Sequence, residues 1–454
     1  MKRRIDHNIY AMPEERTTDY LIIGAGAMGM AFVDELLSLK PDAHITIVER
    51  RDKPGGHWNN AYPFVGLHQP AAFYGVNSME LGNGSADLSS KPEILAYYDR
   101  VIDRFERSGQ VVFLSRHEYL GEGKVRALDH PEKELDFQVN KCIVDATYMK
   151  VEVPSTHPPK YQVDPGVALV PINALVNEHD QWDRFYVVGS GKTGMDAVLY
   201  LLEQQVDPDR IHWIVPNDAW LFNRSKLQVG MVAAEIMRHA KTVTTASNVD
   251  DIFLELEQSG GILRLDSSIL PTKWRCATVS PEELEQLKRI QHIIRKGRVK
   301  RIHSAAIEFQ EGEVPYPEGS LFVDCSADGL AKKPARPIFT KGLITLQPIL
   351  FCQQVFSAAL IARVALMKRS DAQKNRLIPV PHPEFKEDWP SSLSVSIRNL
   401  IWAHFRFPIW MFRARLNFMS HEPIFQYFYY AGKAMALSPA IQKGAKKLNQ
   451  LQDV

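Results

Sequence analysis

Apolar and polar positions along the chain divide it into short apolar runs that end in glycine or polar turns and are followed by amphipathic stretches. Leu21 to Ile23 reads as a strand, residues 27–39 place apolar side chains at helical spacing, and HITIV (44–48) reads as a second strand. KPEILAYYDRVIDRFERS (91–108) predicts a helix, with strands at VVFLS, LDFQV and KCIVDATY behind it. The same strand, turn, helix and strand pattern returns in RFYVVGSGKTGMDAVLYLLEQQ and RIHWIVP (184–216). Farther on, VGMVAAEIMRHA and VDDIFLELEQSG predict helices. PEELEQLKRIQHIIRKG predicts another, with Leu284, Leu287, Ile290 and Ile294 on one face and Ser280 as its N-cap. LFVD (321–324) has the continuous apolar character of a buried parallel strand, and an apolar helix is expected from about Ser357. Strands alternating with helices predict an α/β fold.

The turns carry the chemistry. Between the first strand and its helix stand Gly24, Gly26 and Gly29, a G-x-G-x-x-G spacing, and the second strand runs into Glu49, 20 residues after Gly29. Gly24 suits a tight strand-to-helix turn, Gly26 lets the backbone approach a pyrophosphate, and Gly29 lets the helix lie close to the strands. Unpaired N–H groups and the helix dipole favour the phosphates at the helix N-terminus, and Glu49 is placed to accept ribose hydroxyls. Residues 20–50 therefore read as a complete dinucleotide-binding unit, with Met28 and Arg50 beside the ligand.

Glu49 is followed by Gly55-Gly56-His57-Trp58 and then Tyr62-Pro63, in a loop too rich in aromatics for a linker. An acid at a strand end followed by this Gly-Gly-x-Trp loop resembles the FAD-binding segment of the flavin-containing and Baeyer-Villiger monooxygenases. The resemblance implies FAD in the first unit, with Gly56, Trp58, His68 and Gln69 near its ring. It also implies a flavin-proximal asparagine, for which Asn77 in FYGVNSMEL is the counterpart, and Asn77 and His68 are the catalytic candidates. For Trp58 the plain alternative is core packing. Asp145-Ala146-Thr147-Tyr148 is similar to the A-T-G hinge of two-dinucleotide flavoproteins, with Tyr in place of Gly. The histidine fingerprint that such monooxygenases carry before their second glycine motif is replaced by Tyr161-Gln162-Val163-Asp164.

The second glycine motif, Gly189, Gly191 and Gly194, lies 165 residues after the first, a domain-scale offset. Ser190, Lys192 and Thr193 complete its phosphate loop. Aligning the two strand ends sets Pro216 opposite Glu49. With no acid there, and with Arg224 close by, the unit has room for a 2′-phosphate, so NADPH is expected over NADH. Asp218 is the counter-candidate for a ribose acid. The family pattern implies an FAD domain in two parts, 1–165 and 321–388, around an NAD(P)H domain at 166–320 with a helical insertion. The strand at 321–324 would return the chain to the FAD domain, with Asp324 near the flavin, and 389–454 would form a C-terminal helical cap. The fold class is thus α/β with two Rossmann-like dinucleotide-binding domains and that cap.

Composition narrows the function. A net charge of +1 over 454 residues gives no electrostatic reason for nucleic-acid binding. The four cysteines, Cys142, Cys276, Cys325 and Cys352, form no C-x-x-C, so neither a metal ribbon nor a redox disulfide of close spacing is expected, no metal site is assigned, and a reducing, cytoplasmic setting fits. The basic N-terminus lacks an apolar stretch behind it and does not read as a secretory signal. The tail is dense in Trp, Phe, Tyr and Arg, with Pro408 interrupting any single helix. It reads as a cap, and alternatively as a segment peripheral to a membrane, with Arg398, Arg406, Arg413 and Arg415 facing headgroups. The expected activity is reduction of FAD by NADPH, then reaction with molecular oxygen and a small organic substrate. A non-oxygenating reductase, or a flavin-bearing membrane-associated scaffold without turnover, are the other readings.

Overall fold

A computed structural model describes residues 15–83, 88–327, 329–330, 333–380 and 382–450; the N-terminal segment read above as non-secretory lies outside them. Two sheets, each with a parallel core in which four strands run in the same order, organise the chain. In the first, β1 (Glu15–Ile23) is central. On one side it pairs with β2 (Ile45–Glu49), which pairs with Val111–Ser115; on the other it pairs with Glu134–Asp145, which pairs with Leu343–Thr345. In the second, Arg184–Val188 is central, with Ile211–Ile214 and then His292–Ile294 on one side and Ser320–Asp324 and then Leu169–Pro171 on the other. The two expected Rossmann-like domains are present. β2 and Ser320–Asp324 are buried at every position, as continuous apolar runs covered on both faces must be.

Helix α1 (Ala27–Leu39) leaves the first glycine turn and packs on the late apolar helix. The predicted 91–108 helix is α2 (Lys91–Arg107), opened by a capping box between Ser90 and Glu93. Helix α3 (Lys192–Glu203) leaves the second glycine turn. The insertion supplies α4 (Val232–Thr245), α5 (Val249–Gln258) and α6 (Pro281–Leu287), which Ser280 caps as expected. After Leu343–Thr345 come α7 (Gln354–Ala365) and the one-turn α8 (Asp371–Lys374). The tail folds as α9 (Trp389–Arg406), α10 (Pro408–Arg413) and α11 (Ile424–Gln450), with the break before Pro408. This C-terminal cap lies on the insertion: α11 contacts α4 and α9, and a Cβ on Gly444 would meet Val243 O at 2.3 Å, so only glycine allows that approach.

Three expectations change. The α6 helix stops at Leu287, and Ile294 lies in the strand His292–Ile294 rather than on the helix face, because that stretch is edge-paired with Ile211–Ile214. LDFQV and KCIVDATY are one strand, Glu134–Asp145. Ser320–Asp324 pairs with Arg184–Val188, so it completes the second sheet; the chain rejoins the first sheet through the hairpin of Phe339–Thr340 and Leu343–Thr345.

Candidate cofactor-binding site

The first glycine turn has the shape its sequence implied. Gly24 sits at φ +99°, and a Cβ on Gly29 would lie 2.2 Å from Gly24 O, so the helix starts in backbone contact with the turn. Gly26 caps α1 without a side chain, leaving the first helical N–H groups unbonded by any side-chain cap. Gly24, Gly26 and Ala27 are partly exposed, and the Gly55–Gly56 turn lies over them: Gly55 N donates to Ala25 O at 2.9 Å, and a Cβ on Gly56 would meet Gly26 Cα at 2.9 Å. Two bare backbones from separate segments thus face one another at the mouth of the turn. Glu49 is 4% exposed, and its carboxylate accepts from Ala25 N (2.9 Å) and Arg51 N (3.0 Å). These bonds aim the acid at the turn, and an ionised carboxylate has lone pairs beyond two donors. The bare cradle and the fixed acid fit the FAD that the sequence implied. Met28 is buried in the core beneath the turn, whereas Arg50 is exposed and reaches Glu118 at 3.7 Å.

The loop after Gly56 reaches both units. Trp58 is buried and its indole N–H donates to Tyr74 OH at 2.7 Å, which makes it a packing anchor. Tyr62 OH donates to Asp196 Oδ2 on α3 at 2.5 Å, and Lys192 pairs with the other oxygen of Asp196. Phe64 stacks on Tyr200 of α3, with centroids 4.1 Å apart. Thr278 Oγ1 donates to the His68 carbonyl at 2.7 Å, and Gln353 Nε2 donates to Gln69 Oε1 at 3.1 Å. Burial, and then the Lys192 and Arg224 cations, push the His68 imidazole down to about 4, so at neutral pH it is uncharged. His57, depressed by burial and by Arg51, is also down to about 4.

Several candidates lie elsewhere than the sequence suggested. Asn77 donates to Glu35 Oε2 at 2.8 Å and accepts from Leu416 N at 3.1 Å. Glu35 is eight residues into α1, about 12 Å along its axis from the glycine turn; Asn77 ties that helix to the tail. Arg224 is buried and paired with Glu283, its Nη1 is unpartnered, and its charge acts on His68. Asp324 accepts from Tyr161 OH at 3.1 Å and from Ser326, and a Cβ on Gly189 would meet the next carbonyl, Cys325 O, at 2.9 Å. It therefore belongs beside the second glycine turn. Tyr161, where the family histidine fingerprint is missing, is its partner.

The second turn repeats the first. Gly189 has φ +121° and a Cβ on Gly194 would lie 2.0 Å from Gly189 O. A Cβ on Gly191, however, would meet no atom of the described residues within 4 Å, so this turn is more open than the first. Ser190 Oγ donates to Asn217 O at 2.9 Å, and Thr193, at the start of α3, faces Tyr62. The strand register corrects the alignment. Gly24 N donates to Val48 O, and Gly189 N donates to Ile214 O, so the residue matching Glu49 is Val215 and not Pro216. Val215 is buried, and the position remains free of acid. Asp218 is held by Arg295 through bonds of 2.9 and 3.2 Å. Arg295 in turn edges a cavity of about 550 Å³ that Arg264, Asp266, Ser267 and Lys288 also line.

With this geometry in view, known proteins can be compared. The NAD(P)-binding Rossmann-like domain family matches residues 22–79. The uncharacterized protein Rv2000 of Mycobacterium tuberculosis is 43% identical over 432 residues, covering 89% of this chain and 80% of its own, and a Mycobacterium bovis protein matches equally. A shorter stretch of 103 residues, 22% of this chain and 20% of the other, is 28% identical to the probable FAD-binding monooxygenase AlmA of Acinetobacter baylyi. Among solved structures, an oxidized steroid monooxygenase bound to NADP superposes with TM-score 0.52 at 14% identity, over 77% of this chain and 84% of that one. The polycyclic ketone monooxygenase of the fungus Thermothelomyces thermophila gives 0.50 at 13% identity, over 99% and 91%. At such identities the likeness is one of fold, and it is the two-domain flavin monooxygenase fold.

Proposed function

The chain belongs to the family of the mycobacterial protein Rv2000, and we propose that it is an FAD-dependent oxidoreductase reduced by NADPH that acts as a monooxygenase on a small organic substrate. One observation carries the reading: two glycine cradles at equivalent places in two sheets whose four shared strands run in the same order, joined by a loop that roofs the first and grips α3 of the second. The names of the fold relatives, which mention NADP and monooxygenase activity, support the same assignment.

In this reading the first unit holds FAD, which supplies the two-electron redox chemistry when bound. Gly24, Gly26 and Gly29 shape its phosphate cradle, Gly56 closes over it, and Glu49 orients the ribose. The second unit holds NADPH through Gly189, Ser190, Gly191, Lys192, Thr193 and Gly194. Val215 places no carboxylate against a 2′-phosphate, and Arg295 replaces Arg224 as the cation near it. Tyr62 and Asp196 hold the two domains in register, and neutral His68 offers a hydrogen bond without charge at their junction. The test is direct. The purified protein reconstituted with FAD should be yellow and bleach with NADPH. In the presence of ¹⁸O₂ it should then yield product carrying one labelled oxygen. A colourless folded protein that takes up no FAD overturns the reading. Bleaching followed by stoichiometric hydrogen peroxide and no labelled product supports instead the non-oxygenating reductase, which the Tyr161–Asp324 contact in place of the histidine fingerprint favours.

The tail is the proposed contact with a membrane surface. No helix among the described residues is long and apolar enough to cross a bilayer. Phe405, Ile409, Phe425 and Phe428 are exposed at 73, 69, 87 and 62%, and Arg398, Arg406 and Arg413 of the same tail are exposed as well. Single exposed apolar residues are ordinary, whereas a group with neighbouring cations suits an interface with anionic lipid. Arg415 is excluded from this role, since its guanidinium is bonded to the carbonyls of Ala72, Tyr74 and Val76. Sedimentation with anionic vesicles, lost in a Phe425→Ser, Phe428→Ser double variant, is the expected outcome; equal sedimentation of both proteins removes the contact.

A further inference from the structure

Two cysteines 76 positions apart in the sequence, and a histidine from a third segment, meet beside the 68–69 loop. The Sγ atoms of Cys276 and Cys352 and a ring nitrogen of His382 all lie within 4.8 Å of one another. The fold goes to some length to bring them there. The strand Lys273–Val279 pairs Trp274 with Trp220 and Thr278 with Phe222, so residues 275–277 bulge opposite the single residue Leu221. Cys276, at the centre of that bulge, has φ +56°, in the left-handed region that a residue with a Cβ seldom occupies. Phe351, just before Cys352, has φ +44°, and its N–H is held by Ser396 Oγ at 3.0 Å. Unusual backbone on both sides aims the sulfurs at one another.

The segment carrying His382 is stapled to both neighbours. Val380 N donates to Pro348 O at 2.8 Å, Trp274 N donates to Glu384 O at 3.1 Å, and Glu384 binds Lys273 and Arg275. The His382 Nδ1–H donates to Pro383 O at 2.8 Å, which leaves Nε2 for the Cys352 sulfur. The Cys276 thiol and His382 both hydrogen-bond Cys352 and hold its thiol down to about 5, while the Cys276 thiol is raised, first by the same Cys352 contact and then by burial. One stabilised thiolate beside one protonated thiol is the arrangement of an attacking and a resolving cysteine. The pair also adjoins the proposed flavin end. Thr278, two residues from Cys276, bonds the His68 carbonyl, and Gln353, next to Cys352, bonds Gln69.

We propose that Cys276 and Cys352 are a redox-active dithiol–disulfide pair, with His382 as the proton partner of Cys352, that takes an electron pair from the reduced flavin and delivers it to a small external disulfide. The flavin step rests on the FAD assignment above. In it the Cys276–Cys352 S–S bond would break on receiving two electrons and one proton from a bound anionic reduced flavin, Cys276 taking the proton and Cys352 being left as thiolate beside His382. In the outward step the Cys352 thiolate attacks one sulfur of the external disulfide and expels the other as a thiolate. Cys276 then attacks the mixed disulfide and its proton goes to the second departing sulfur, which restores the internal disulfide. One external disulfide becomes a thiol and a thiolate, the thiolate takes its proton from solvent, and no electrons are left over. Both cysteines are half-buried, so the substrate is small.

Three measurements on the full-length protein test this. Oxidation of the purified chain with 2-hydroxyethyl disulfide, followed by alkylation and peptide mapping, should join Cys276 to Cys352 and leave Cys142 and Cys325 alkylated. No such linked peptide overturns the pair, as does stoichiometric bound zinc that is lost in Cys352→Ser. The oxidised, FAD-loaded protein given NADPH without oxygen should regain two titratable thiols per flavin, and Cys276→Ser and Cys352→Ser should regain none. Bleaching of the flavin with no thiols regained overturns the coupling and leaves the FAD reading standing, whereas failure to bind or bleach flavin overturns both. Among the described residues Cys276 and His382 are the ionisable groups that act on Cys352, and Arg275, itself engaged by Glu384, acts on His382. His382→Asn should slow alkylation of Cys352 at pH 6 by about tenfold while the melting curve is unchanged. An unchanged rate removes His382 from the scheme.

Discussion

The two nucleotide-binding units share a strand order and a glycine spacing and differ in how their mouths are finished. In the first, the Gly55–Gly56 turn lies against Gly26 and a buried acid, Glu49, is bonded back to the turn. In the second, nothing stands within 4 Å of where a Gly191 Cβ would be, and the residue matching Glu49 is the apolar Val215. A roofed cradle with a fixed hydrogen-bonding acid suits a group that stays bound, and an open cradle suits one that must leave after each turnover. The shared geometry thus differs at its rim, in one loop and one side chain.

The largest expected effects come from the glycines the units have in common. A Cβ at Gly29 would stand 2.2 Å from Gly24 O, and one at Gly194 would stand 2.0 Å from Gly189 O, distances that require the helix to move. Gly29→Ala should lower flavin occupancy more than 100-fold and destabilise the chain by about 3 kcal/mol. Gly194→Ala should leave the colour intact and abolish bleaching by NADPH. Absorbance at the flavin band with and without coenzyme separates the two. If both variants lose the same function, the assignment of one cofactor to each unit is wrong.

What the sequence made legible here was local: strand, three glycines, helix and acid lie within 30 residues and are fixed by short-range sterics. What it concealed was set by pairing across the fold. Ile294 has helical spacing with Leu284 and Leu287, yet it joins Ile211–Ile214 because the sheet needs a third strand. LFVD looks the same whichever sheet receives it, and only its partners, Arg184–Val188 and Leu169–Pro171, decide the matter. Asn77 fitted a family pattern locally, but its amide is used by Glu35 and Leu416. Cys276 and Cys352 carried no spacing signal at all, since a bulge and two other segments bring them together.

Next in size is the Arg224–Glu283 pair, in which Arg224 serves either as a structural ion-pair partner or as a coenzyme cation. Arg224→Ala would remove the ion-pair partner of Glu283, which is 25% exposed and keeps the Ser280 N–H, a change expected to cost about 2 kcal/mol. It should therefore appear in the melting temperature and leave the ratio of NADPH to NADH activity unchanged. A ratio shifted at least tenfold with unaltered stability would return Arg224 to the coenzyme site.

The smallest effect probes the rim difference most directly. Val215→Glu would install in the second unit the acid that the first unit has, at a position where Ser190 N corresponds to Ala25 N, which Glu49 engages. The new carboxylate would meet a ribose hydroxyl of NADH favourably and a 2′-phosphate unfavourably. Two like charges about 4 Å apart at an effective dielectric constant near 20 repel by about 4 kcal/mol, and ionic screening and side-chain movement reduce that to roughly 1.4 kcal/mol, a tenfold change. The expected result is a tenfold fall in the NADPH-to-NADH ratio of kcat/KM, with flavin content unaltered because the first unit is untouched. Arg295→Ala in the same background should add little, since the acid already repels the phosphate, whereas in the parent chain it should lower NADPH use alone by a few fold. A Val215→Glu protein that keeps its colour and its coenzyme ratio would mean that the strand end does not face the ribose, and the contrast between the two rims would then have to be sought in the Gly55–Gly56 roof.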